Sequence, residues 1–81
     1  MRLQVHTINE TLFDDEVRSI TVPTEDGEIT ILENHLPIVT VVRPGDITVI
    51  DKSGSYATIS FSSYGFLEVR PEQDGVILLA S

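Results

Sequence analysis

The sequence predicts an all-β domain, an antiparallel β-sandwich of about eight to ten short strands. Three observations carry that expectation. Almost every segment alternates, or runs apolar over a few residues, and is rich in Val, Ile and Thr. Clusters of Gly, Pro, Asp or Asn close the segments, most of them at hairpin spacing. No stretch holds a convincing helical apolar period, which disfavours the crossover helices of a βαβ sheet.

Taken in order, residues 2–8 read as a first strand. The run DDE at 14–16 lacks the alternate ligand spacing and the glycine of a calcium loop, and reads as a solvated turn. A second strand over 16–22 points Ile20 and Val22 one way, with Arg18, Ser19 and Thr21 polar or opposite. The turn PTEDG at 23–27 leads to a third strand, 28–32, where Ile29 and Ile31 flank Thr30. After ENHLP at 33–37 come strands at 38–42 and 46–51, separated by RPGD. The turn DKSG precedes 56–62, in which Ala57, Ile59 and Phe61 are the expected core positions. The last two strands, 66–70 and 76–80, flank PEQDG at 71–75.

Three segments depart from alternation: IVTVV at 38–42, ITVI at 47–50 and VILLA at 76–80 are apolar on both faces. A sandwich strand buries one face, so in a chain this small the second is covered by a loop or reserved for another protein.

The 81 residues make one domain, 1–81, with no room for a second core. There is no cysteine, which excludes disulfides and thiolate metal sites. A formal charge of −8 repels phosphate backbones and anionic lipid, and Arg2, Arg18, Arg43, Lys52 and Arg70 are spread along the chain. Nucleic acid is therefore not expected as a ligand. No apolar run approaches the roughly 18 residues of a membrane span, so no direct membrane insertion is expected. Hydrophobic content of 41% excludes a disordered acidic tail.

Chemistry is thinly represented. His6 and His35 stand alone, without an HxxH or HxH pair, so no metal site is expected. Ser60, Ser62 and Ser63 lie near Tyr64 and Gly65 without a GxSxG elbow, and Gly65 alone cradles no phosphate. No catalytic residue and no cofactor are assigned. On the residues alone, Glu28 reads as a solvated strand opener, His35 as a turn residue and Pro37 as a register device.

The order VPTEDGEITILENHLPIVTVVRPG, followed after one hairpin by YGFLEVRPEQDGVILLA, resembles the N-terminal domain of the epsilon subunit of F-type ATP synthases. The resemblance spans nearly the whole chain, opening with RLQVHTINETLFDDEVRSITVP, and its most specific elements are GEITILENHLP and GFLEV. Thr30, Glu33, Asn34 and Tyr64 depart from the family's usual residues.

The resemblance implies a non-catalytic rotor part of the central stalk that docks the gamma subunit to the c-ring and helps couple rotation to ATP synthesis. It implies Glu28 and His35 near the c-ring loops, and Thr7, Leu36, Pro37, Ile38 and Thr40 toward gamma. It further implies a peripheral position on the cytoplasmic face of a bacterial inner membrane, or the equivalent organelle face, with no nucleotide bound. Family members commonly carry a C-terminal helical hairpin with inhibitory and ATP-sensing behaviour; this sequence stops at Ser81, so those two activities are expected to be absent. The other expectation is a free-standing β-sandwich module binding a peptide or glycan, for which Tyr56 and Tyr64 supply few aromatics.

Overall fold

The structure, a computed structural model, describes residues 1–33, 37–73 and 75–80. Eight strands are present: β1 (Arg2–His6), β2 (Thr11–Thr24), β3 (Gly27–Leu32), β4 (Ile38–Val42), β5 (Gly45–Asp51), β6 (Tyr56–Phe61), β7 (Gly65–Arg70) and β8 (Gly75–Ala80). A single 3-10 turn, Pro71–Gln73, links β7 to β8.

The long strand β2 belongs to two sheets. Its first half pairs with β1, completing a first sheet in the order β4-β7-β8-β1-β2. Its second half pairs with both β3 and β5, and β6 completes this second sheet. The switch occurs where the register against β5 slips between Val17 and Ser19, leaving Arg18 as an extra residue. A bulge of this kind bends a strand sharply and lets it pass from one layer to the next.

The two layers close over one core. Leu3, Val5, Leu67 and Leu78 from the first sheet meet Ile20, Val22, Ile31, Ile47 and Val49 from the second, all essentially inaccessible to water. Alternation produces this arrangement, because every second residue of β1, β7 and β8 is buried.

Four details differ from the sequence expectation. Asp14, Asp15 and Glu16 lie inside β2, opposite Gln4, Leu3 and Arg2, and form no separate turn. Their low strand propensity is offset by cross-strand pairing, including an ion pair from Arg2 Nε to Asp14 Oδ1 at 2.8 Å. The first strand ends at His6, because the Thr7 hydroxyl accepts hydrogen bonds from the amides of Asn9 and Glu10 and so begins a turn. Ala57 is exposed on β6, the edge strand of the second sheet, whereas Phe61 is buried and Ile59, half-buried, packs against the core. Finally, β1 and β8 pair in parallel, so the sandwich is antiparallel everywhere except at this junction.

One close approach fixes the backbone. A Cβ on Gly65 would stand 2.6 Å from the Leu79 carbonyl oxygen, so only glycine lets β7 and β8 meet there.

Replacing Leu67, fully buried between the layers, by Ala is expected to cost about 2 to 5 kcal/mol. The exposed Thr58→Ala should stay within about 0.5 kcal/mol. Urea unfolding followed by far-UV circular dichroism measures both, and equal midpoints for the two variants would refute the placement of the core.

Candidate functional site

The outward face of the first sheet is built from the residues that alternate with its core. Across neighbouring strands the register aligns three rows: Val41, Phe66, Leu79 and His6; then Val39, Glu68, Ile77 and Gln4; then Arg70, Gly75 and Arg2. The first row is apolar over three strands and exposed, with Val41 at 36%, Phe66 at 59% and Leu79 at 52%, and the adjoining Val39 at 69%. Scattered exposed apolar residues are ordinary, but contiguous ones across three strands mark a surface meant to be covered.

This face accounts for two of the double-apolar segments. Val39 and Val41 supply the second face of β4, and Ile77 and Leu79 that of β8. Phe66 was not singled out in the sequence, although FL at 66 and 67 places an apolar residue on each side of β7.

The expected site residues are not gathered on this row. Ile38 and Thr40 are half-buried and lie opposite Val69 and Leu67, on the inward side of the edge strand β4. Pro37 is exposed just before them. Thr7 lies beyond the far end of β1, beside a cleft of about 170 Å³ shared with Leu12, Phe61, Ala80 and three serines. Of those serines, Ser60, Ser62 and Ser63, Ser60 donates from Oγ to Asp46 Oδ1 at 2.7 Å. Glu28 is exposed on β3 opposite Pro23, at the tip of the hairpin in the other sheet. His35 and Leu36 lie outside the described residues. Among the described residues no three His, Cys, Asp or Glu side chains converge as a metal cluster, and the His6 ring nitrogen Nδ1 is 3.0 Å from the Thr11 hydroxyl.

The most perturbed acid on the described surface stands where β3 ends. Glu33 Oε1 accepts from Lys52 Nζ at 2.8 Å and from the Met1 amine at 3.0 Å. These hydrogen bonds, Lys52 first and the amine second, pull its pKa from an ordinary 4.5 down to about 2. The amine also reaches the Val17 carbonyl, and Val17 N–H returns a bond to the Met1 carbonyl. The cluster therefore ties the start of the chain, the β2 bend, the end of β3 and the β5–β6 turn into one corner.

Fold and surface together define a class: a small β-sandwich with a contiguous exposed apolar row on one sheet. The chain belongs to the family of ATP synthase delta/epsilon chain β-sandwich domains, whose model matches residues 1–81. It is 36% identical over 73 residues to the ATP synthase epsilon chain of Chloroflexus aggregans, a match covering 90% of this chain and 51% of that one. It is 35% identical to the epsilon chain of Herminiimonas arsenicoxydans over 80 residues, covering 99% of this chain and 56% of that one. The chain thus spans about half the length of these curated relatives. Among solved structures, one chain of the Euglena gracilis mitochondrial ATP synthase (OSCP/F1/c-ring) superimposes with a TM-score of 0.88 at 26% identity, over 96% of this chain and 48% of that one. A chain from the Tetrahymena thermophila mitochondrial ATP synthase central stalk and c-ring shares the fold at TM-score 0.78 and 14% identity, over 98% of this chain and 61% of that one.

The lowered pKa of Glu33 sets a pH dependence. A carboxyl whose folded pKa lies below its unfolded value adds stability above the unfolded pKa, and that stability is lost as pH falls through the folded pKa. The contribution of Glu33 is therefore present above about pH 4.5 and disappears toward about pH 2. Glu33→Gln should lose less stability than the wild type over that interval, as read from urea midpoints. Identical declines in both proteins would remove Glu33 from the corner's energetics.

Proposed function

We propose that this chain is a non-catalytic central-stalk subunit of an F-type ATP synthase, docking the gamma subunit to the c-ring and helping couple rotation to ATP synthesis. The observation that carries this is the exposed row Val41, Phe66 and Leu79 on a rigid sheet. Membership of the delta/epsilon chain family and the epsilon-chain relatives support it, and they do not favour a free-standing module.

The mechanism asks for no reacting group. A body that passes torque between two partners must deform little under load and adhere on two sides. A close-packed core under two hydrogen-bonded layers meets the first demand. The apolar row meets the second on the gamma side, where burial of Phe66 and its neighbours supplies adhesion. Pro37, exposed before β4, and Ile38 and Thr40, half-buried on the inward side of that edge strand, are assigned to the gamma side by the family resemblance, as are Leu36 and, at the far end of β1, Thr7. Glu28, at an exposed hairpin, and His35 face the c-ring loops, where a carboxylate opposite a basic loop residue gives orientation more than affinity. The position follows from the partners: peripheral, on the cytoplasmic face of a bacterial inner membrane or its organelle equivalent, with no cofactor or nucleotide.

Co-purification with the gamma subunit of the same organism tests the proposal. Phe66→Asp places a charge in the centre of the row and should abolish the complex while leaving the fold intact, because the side chain is exposed. Glu28→Lys should leave gamma binding unchanged and weaken attachment of the assembled stalk to the c-ring. Gamma binding equal in Phe66→Asp and wild type would refute the docking face.

A further inference from the structure

The third row of the same face contains a second kind of surface. Gly75 pairs with Arg2 on one side and Arg70 on the other, so two guanidinium side chains straddle a position with no side chain. With strands about 4.8 Å apart, the two arginine Cα atoms stand about 10 Å from each other. Between them lies a cleft of about 130 Å³ walled by Gln4, Gln73 and Ile77. Two of the five basic residues of a chain carrying −8 thus meet at one notch.

Each arginine is already oriented from one side. Arg2 Nε donates to Asp14 Oδ1, and Arg70 Nη2 donates to Glu68 Oε1, both at 2.8 Å. Those carboxylates belong to the middle row, opposite Gln4 and Ile77, and not to the glycine row. A guanidinium has five N–H donors, so each arginine keeps four beyond the one engaged. Of the other acids nearby among the described residues, Glu16, paired with the Met1 amine, and Asp15 act on Arg2 through space, and Glu72, lining the adjoining cleft, acts on Arg70. An oxyanion seated over Gly75 would meet N–H donors from both sides, in the forked geometry that suits a carboxylate.

We propose that the Arg2–Gly75–Arg70 notch receives an aspartate or glutamate side chain of the partner that docks on the apolar row, and that this contact fixes the partner's orientation. The inference rests on the docking function above. The apolar row supplies adhesion without direction, since it would tolerate a partner rotated upon it. A charged anchor two rows away removes that freedom, and a partner without an acid at that point leaves the remaining N–H donors of the two ion-paired arginines unmet.

The test measures affinity for the gamma subunit of the same organism at low and raised salt, using wild type, Arg2→Ala, Arg70→Ala, Arg70→Lys, Gly75→Val and, as a charge control outside the notch, Arg43→Ala. A Cβ at Gly75 makes only an ordinary contact, with the Gln73 carbonyl at 3.6 Å, so the backbone admits a side chain there, and valine adds bulk to the notch without changing charge. Arg2→Ala, Arg70→Ala and Gly75→Val are expected to weaken binding about tenfold, with a smaller salt dependence, and Arg43→Ala less than about threefold. Arg70→Lys should recover only part of the loss, because an ammonium does not fork. Thermal unfolding checks that each variant is folded. If Phe66→Asp abolishes binding while all three notch variants bind like wild type, the notch proposal falls and the docking face stands. If wild type itself does not bind, the docking function fails and the notch falls with it.

Discussion

Everything else in the domain depends on the bend in β2. One strand supplies the edge of the first sheet and an interior strand of the second, and the layers can face each other only because it turns between them. The turn is made by one extra residue, Arg18, whose side chain is turned out to donate from Nη2 to the Lys52 carbonyl at 2.8 Å. The Met1 and Val17 backbones close on each other beside it, and Glu33 bridges the amine to Lys52. A bend held by backbone bonds and a small ion cluster is stiff, and its stiffness passes to both sheets.

Stiffness connects the fold to the proposed work. The docking row is carried on β4, β7 and β8, whose opposite sides are locked into the core by Ile38, Leu67, Val69, Val76 and Leu78. A partner pressing on Phe66 therefore presses on the packed interior, with no loop between to absorb the force. A formal net charge of −8 opposes, by like-charge repulsion, the approach of copies of the chain through such a face.

Much of this was legible in the residues. Val, Ile and Thr alternation located strands at 38–42, 46–51 and 66–70 almost to their ends, because each is bounded by Pro, Gly or Asp with a definite turn chemistry. The double-apolar character of IVTVV and VILLA announced a second apolar face, and Val39, Val41 and Leu79 lie exposed on it. The length of β2 was hidden, because Asp14, Asp15 and Glu16 are poor strand residues whose place is set by Arg2 and Gln4 across the ladder. The bulge at Arg18 carries no glycine or proline to mark it. The notch over Gly75 was equally hidden: Arg2, Arg70 and Gly75 come together only through two strand pairings, and sequence distance says nothing about which strands are neighbours.

The parallel pairing of β1 with β8 has a consequence for how the molecule comes into being. The first strand, Arg2–His6, finds one of its two neighbours only when β8, Gly75–Ala80, has left the ribosome's exit tunnel. Until then β1 has an open edge, β7 lacks the strand that joins it to the rest, and the apolar residues of both are uncovered. At about 5 to 20 residues per second, synthesis of the intervening segment takes several seconds. Such long-range closure places completion of the first sheet after synthesis of the intervening strands. A chain interrupted before β8 would be missing the central strand of that layer, and with it Leu79 of the exposed apolar row.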